Sequence, residues 1–169
     1  MSQAKPSSFN SKNRGVFFLI APVLILLITM GIRVAFPTLP TPFSGMRPDN
    51  LGVVAGKLAP CPMSPNCVSS QSLDKEHYIK PIAYQGEPKT AIAALTSLIN
   101  SQERTKIIAE ESNYLYAEFA SRWMGYVDDV EFLVHPTEKV IDVRSASRLG
   151  ESDLGVNRQR LEQIRSLLL

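Results

Sequence analysis

Arg144, Arg148 and Arg158 flank a polar loop that leads into a basic helix. Guanidinium forks placed beside unpaired helix N–H groups form an anion site, because both favour negative charge. Asn157, one residue before Arg158, adds an amide to the same place. Arg122, Tyr114 and Tyr116 extend the candidate surface, since exposed tyrosine and arginine are enriched where proteins bind partners. These seven residues are the candidate binding site, for a protein or for an anionic lipid or small molecule. A plainer arrangement uses the same side chains as ion pairs: Arg158 with Glu162 one helical turn on, and Arg144 and Arg148 with acids on neighbouring strands.

Two other groupings carry reactive chemistry. Ser145 or Ser147, His135 and one of Asp128, Asp129 or Asp142 supply the nucleophile, base and orienting acid of a hydrolase. The nucleophile-elbow pattern is absent, however, and both serines fall on the apolar face of their strand. Cys61 and Cys67 close a short loop holding two prolines. They can form a disulfide, remain two buried thiols, or join His77 at a metal, although a zinc site needs a tighter pair and a fourth ligand. No cofactor or metal is expected.

The elements that must position these residues follow from periodicity. Ala91, Ile92, Leu95, Leu98 and Ile99 lie on one helical face behind Pro88, a residue suited to a first turn. From Thr105 the pattern alternates. Strands are expected over 105–109, 114–123, 127–134 and 140–148, with a short edge strand near 79–84 limited by Pro81. Leu115, Ala117, Phe119 and Trp123 share one face, and so do Val130, Phe132 and Val134. The opposite face carries Glu118, Arg122, Glu131, Asp142, Arg144 and Arg148. Ser152 or Asp153 caps a last helix with an apolar stripe of Val156, Leu161, Ile164 and Leu168. The fold class is α+β: an antiparallel sheet of about four to five strands with two helices on one face, preceded by one transmembrane helix.

That helix is read from residues 15–36, where the run Gly15 to Ile32 holds no charge and comes close to spanning a hydrocarbon core. Lys5, Lys12 and Arg14 precede it and only Arg33 closely follows, so residues 1–14 are expected in the cytoplasm and the rest across the membrane. A cleaved signal peptide is the rival, but the run is long for one and no small-residue cleavage site follows. The proline-rich residues 37–60 read as an extended tether, and 61–169 as the globular domain. Residues 37–169 hold 14 basic and 16 acidic side chains, a net of −2. That slightly acidic domain is not a general nucleic-acid binder, which needs a basic surface.

Cys61-Pro-Met-Ser-Pro-Asn-Cys67-Val-Ser-Ser, Tyr126-Val-Asp-Asp-Val-Glu-Phe132, Val143-Arg-Ser-Ala-Ser-Arg-Leu-Gly150 and Asp153-Leu-Gly-Val-Asn-Arg158 together resemble the domain of unknown function 1499 family, over Cys61 to Arg165. The resemblance implies an exported or membrane-anchored protein of bacterial or plastid type and assigns no reaction. The leading expectation is a membrane-anchored extracytoplasmic interaction or ligand-binding domain, in the periplasm or thylakoid lumen, serving envelope or photosynthetic-membrane upkeep. A hydrolase is the alternative, and a structural spacer the third.

Overall fold

The structure, a computed structural model, describes residues 11–37 and 39–168, with side chains from residue 18 onward. Residues 1–10 of the expected cytoplasmic tail lie outside the described residues. Two compact units are present, Met1–Phe36 and Pro37–Leu169. In the first, helix α1 (Ser11–Ala35) contains Pro22. Its Phe18–Ala35 stretch is long and apolar enough to cross a membrane.

The second unit is built on one antiparallel sheet. Its strands are β1 (Cys67–Ser69), β2 (Ile82–Ala83), β3 (Thr105–Glu110), β4 (Tyr114–Ala120), β5 (Val127–His135) and β6 (Val140–Ser147). The order is β1-β6-β5-β4-β3, and β2 also pairs with β6. Helices α2 (Pro88–Asn100) and α3 (Val156–Leu168) follow the second and sixth strands. The α+β class is as expected. The sheet is larger, with six strands, because β1 has three residues, too few to show an alternation. Pro81 lies just before β2, consistent with a short strand that starts once the missing N–H has been passed. Between Ile107 and Ala109 the β3–β4 register shifts at a bulge.

Both helices pack on one face. Ile92, Leu95 and Ile99 of α2 and Leu161 and Ile164 of α3 meet Leu115, Ala117, Val130, Phe132, Ile141 and Val143 of the sheet. Full burial of such a side chain contributes about 1.5–3 kcal/mol before its ordering entropy is charged. Helix α3 departs from its expected stripe. Val156 is exposed and Asn157 is fully buried in its place. Strand β4 stops at Ala120, so Trp123 lies in a turn, 51% exposed, instead of on the apolar face.

The other face is polar and yet buried. Register places Glu118 opposite Asp129, Tyr116 opposite Glu131, and Glu131 opposite Arg144. Residues 41–58, expected as part of an extended tether, instead run across this face. Thr41 Oγ1 donates to the Met124 carbonyl at 2.8 Å, and Ser44 Oγ to that of Gly125 at 3.3 Å. Arg47 reaches Glu118, and Leu58 joins Tyr114, Tyr116 and Leu133 in a second apolar cluster. Gly45, at φ +66°, lies so close that a Cβ there would stand 2.9 Å from Arg148 Cβ. The strap packs because charged side chains in the middle of a sheet must be shielded and paired, and an extended chain brings both N–H groups and an arginine.

Candidate functional site

The polar face holds three carboxylates, Glu118, Asp129 and Glu131, against three guanidinium groups, Arg47, Arg144 and Arg148. Arg148 Nε donates to Asp129 Oδ2 at 2.9 Å, and Nη2 donates to Asp129 Oδ1 at 2.6 Å and to Glu118. Arg47 Nε donates to the same Glu118 oxygen at 2.8 Å. Glu131, with no exposed surface, accepts from Arg144 Nη1 at 3.3 Å, Tyr114 OH at 2.8 Å and Gly52 N at 2.8 Å. Tyr116 OH donates to Asp129 Oδ1 at 2.5 Å. Burial and the adjoining carboxylates push both tyrosine hydroxyls above their ordinary range. Burial works to raise the Glu118 carboxyl, but hydrogen bonds and charge from Arg148 and Arg47 outweigh it and hold the group below the usual carboxylate value. Arg148 is likewise penalised by burial and held more firmly protonated by Asp129 and Glu118.

Of the seven candidate binding residues, this face brings together Tyr114, Tyr116, Arg144 and Arg148. Their polar groups are directed at carboxylates within the domain, so they form an internal ion network and not an open anion site. The remaining three lie apart. Arg122 stacks over the Trp123 ring, its Cζ 4.9 Å from the centroid. Arg158 donates to the Tyr78 and Glu76 carbonyls, each at 2.8 Å, and Glu162 pairs with Arg165 instead of with Arg158. The α3 N-terminus is not open to an anion, because Asp153 caps it. Its carboxylate accepts from Gly155 N at 3.0 Å and Asn157 N at 2.7 Å.

Asn157 is instead the hub of a second buried network, on the helix side. Its Nδ2 donates to the Asn66 carbonyl and to Ser147 Oγ, both at 2.9 Å. Its Oδ1 accepts from Ser145 Oγ at 2.5 Å and from Arg160 Nη1 at 2.7 Å. Arg160 also pairs with Asp128 at 2.5 Å and lies over the Phe119 ring. An amide with two donors and two lone pairs suits such a junction, since it satisfies three strand and loop groups at once.

The hydrolase grouping does not assemble. Ser145 and Ser147 face the helices and Asn157, while His135 and Asp142 lie on the polar face, with His135 Nε2 2.9 Å from Asp142 Oδ2. Asp128 is tied to Arg160 and Asp129 to Arg148. Asp142 does take a hydroxyl, from Ser70 Oγ at 2.7 Å, and an amide, from Gln71 Nε2 at 2.6 Å. The carboxylate therefore stands between serine and histidine, where a triad requires the histidine.

Cys61 and Cys67 form a disulfide, with Cα atoms 5.7 Å apart. Among the described residues no cluster of metal-binding side chains occurs, and His77 is engaged elsewhere: Nδ1 lies 2.8 Å from Asp74 Oδ2 and Nε2 3.2 Å from the Ser64 carbonyl. The backbone N–H of Glu76 and the His77 ring hold the Asp74 carboxyl below its ordinary value. This clasp joins the disulfide loop to the 72–77 loop. Beneath both, and beside the strap, opens a cleft of about 730 Å³. Leu58, Pro60 and Pro62 form an apolar wall, and Ser69, Gln71 and His77 a polar floor. Sequence reasoning placed the candidate site on the arginines and missed this cleft. The one signal pointing to it was the cysteine loop, which forms part of its wall.

A six-stranded antiparallel sheet with two helices on one face, a strap on the other and a disulfide-bounded cleft defines a small α+β domain, here preceded in sequence by an apolar helix. The model of the family described as "Protein of unknown function (DUF1499)" matches residues 57–168, and the chain belongs to that family. No curated protein matches the chain. The match begins inside the strap, so residues 41–56, which supply Arg47 and Gly52 to the ion network, precede it.

Proposed function

We propose that the protein is a membrane-anchored extracytoplasmic domain that binds a ligand or partner at the cleft between the strap, the disulfide loop and the 72–77 loop. The single observation that carries this reading is the cleft itself, a sizeable concavity that combines apolar and polar lining groups, as ligand sites do. The disulfide supports an oxidising compartment. The apolar helix α1 supports an anchor, and the basic residues before it support a cytoplasmic N-terminus. The internal pairing of Arg144 and Arg148 moves the candidate binding surface away from them.

The test is affinity capture of the crosslinked full-length protein from its native membrane, compared with a Lys57→Glu/Gln71→Leu variant of the cleft. Proteins and lipids are both identified by mass spectrometry. A molecule retained by the parent and lost from the variant supports the reading, whereas identical captures from the two remove the cleft as the site.

A further inference from the structure

One wall of the cleft is fastened differently from the rest of it. Ala59, Pro60, Cys61, Pro62 and Met63 form an unbroken stretch of the lining. Pro60 and Pro62 have no N–H to donate, which keeps this stretch out of any ladder. Among the described residues, no hydrogen bond ties 59–63 to the rest of the domain, and the Cys61–Cys67 disulfide is its one bond across to it. Both ends of the stretch are pinned. Leu58 is buried in a cluster with Tyr114, Tyr116 and Leu133, and it donates its N–H to Gln71 Oε1 at 2.9 Å. Ser64 Oγ donates to Asn66 Oδ1 at 2.8 Å, and the Ser64 carbonyl meets the His77 ring. The far cysteine is pinned too. Cys67 is buried in β1 opposite Ala146, next to Asn66, whose carbonyl accepts from Ser147 N at 3.0 Å.

We infer that this disulfide is a redox latch on the cleft: a dithiol reductant frees residues 59–63 and leaves the domain folded, so that the cleft keeps its shape, and its ligand, only in the oxidised form. The reductant's thiolate attacks Cys61 Sγ, because Cys61 is half-buried on the cleft lining whereas Cys67 is buried. Cys67 Sγ leaves and takes a proton. The second thiol of the reductant then displaces Cys61 Sγ, which takes the other proton. Two electrons have passed to the protein, and the dithiol has become a disulfide. Two features make the bond a latch and not a staple of the fold. It joins residues only six apart in sequence, and short loops constrain the unfolded chain least. Its buried end lies in a strand held by β6 and by the bonds of Asn66 to Gly150 and Asn157, none of which involves Cys61. Regulation of a ligand in this way rests on the reading of the cleft as a binding site, whereas release of the wall does not.

The test is backbone nitrogen relaxation by NMR on the full chain in detergent micelles, before and after complete reduction with dithiothreitol, with both thiols confirmed by mass spectrometry. Order parameters at Ala59, Cys61 and Met63 are expected to fall from about 0.85 to below about 0.6 on reduction. Those at Leu58, Asn66, Val68 and Val130 should keep their values. The Cys61→Ala/Cys67→Ala variant should show the low values at Ala59 and Met63 with or without the dithiol, and reduction of the parent decides alone if this variant does not fold. Unchanged order parameters at all three positions after reduction overturn the latch, because other contacts then hold the wall. A fall that spreads to Val68 and Val130 also overturns it, because the disulfide is then a staple of the whole domain. Affinity capture repeated on the reduced protein should lose what the oxidised protein retains through the cleft, and retention overturns the regulation. Failure of the cleft as a site shows separately, as identical captures by the oxidised parent and by Lys57→Glu/Gln71→Leu.

Discussion

Gly52 donates its backbone N–H to Glu131 Oε1 at 2.8 Å, joining the strap to a carboxylate that has no exposed surface. Tyr114 OH reaches the same oxygen at 2.8 Å, and Arg144 takes the other. Replacing Glu131 with glutamine leaves the Arg144 charge buried and uncompensated. Breaking a buried pair in this way costs about 3–5 kcal/mol. Glu162→Gln, at an exposed partner of Arg165, should cost ~0–1 kcal/mol. Denaturant unfolding of both variants in the same detergent measures the difference, and equal midpoints would show that the network contributes little.

The strap depends on close approach at Gly45. An alanine there adds a Cβ 2.9 Å from Arg148 Cβ and 3.1 Å from Leu149 Cγ, in a left-handed backbone conformation. Overpacking and strain of this kind cost about 1–3 kcal/mol. The loss should be local. Limited proteolysis is expected to cut residues 41–58 of Gly45→Ala faster than those of the parent, while residues 114–147 remain protected. Unchanged cleavage would show that the strap is held without this contact.

Tyr114 and Tyr116 have folded-state values above the ordinary 10.0, so their contribution to stability is fully present below pH 10 and is lost as pH rises toward the folded values. Glu118 behaves in the opposite sense. Its folded value lies below the ordinary 4.5, so its contribution is present above that value and fades as pH falls through the folded one. Absorbance titration near 295 nm should give superimposable curves for the parent and Tyr114→Phe until the alkaline unfolding transition. A difference of one tyrosine appearing while the protein is still folded would refute the burial argument.

Asn157 should matter far more than its neighbour Arg158. Asn157→Ala leaves Ser147 Oγ without its partner and removes one of the two hydrogen bonds at Ser145 Oγ and at the Asn66 carbonyl, and a buried polar group left unpaired costs about 1–3 kcal/mol. Arg158 bonds two carbonyls at an exposed site, so its alanine variant should lose about 1 kcal/mol or less. Thermal unfolding separates these outcomes, and similar losses from both variants would refute the hub.

What could be read from residues alone was set by periodicity. The α2 stripe and the alternation through β4, β5 and β6 assign faces correctly, because burial on one side forces a pattern of that period. Alternation does not say whether a polar face meets water or other protein. Glu118, Glu131 and Arg148 therefore read as a surface ladder, although the strap covers them. Asn157 was legible as a candidate but not as a hub, since its partners Asn66 and Ser147 lie 91 and 10 residues away. The cysteine loop was legible. The cleft it borders was not, because its floor comes from Ser69 at the end of β1, a strand too short to show a period, and from Gln71 and His77 in the loops after it.

The bulge between Ile107 and Ala109 interrupts the register of β3, the strand that ends one side of the sheet. A second chain approaching that edge meets a row of donors and acceptors that is out of step, with Lys106 exposed on it. Bulges and edge lysines both obstruct strand addition. These two features guard the β3 edge against growth into cross-β aggregates.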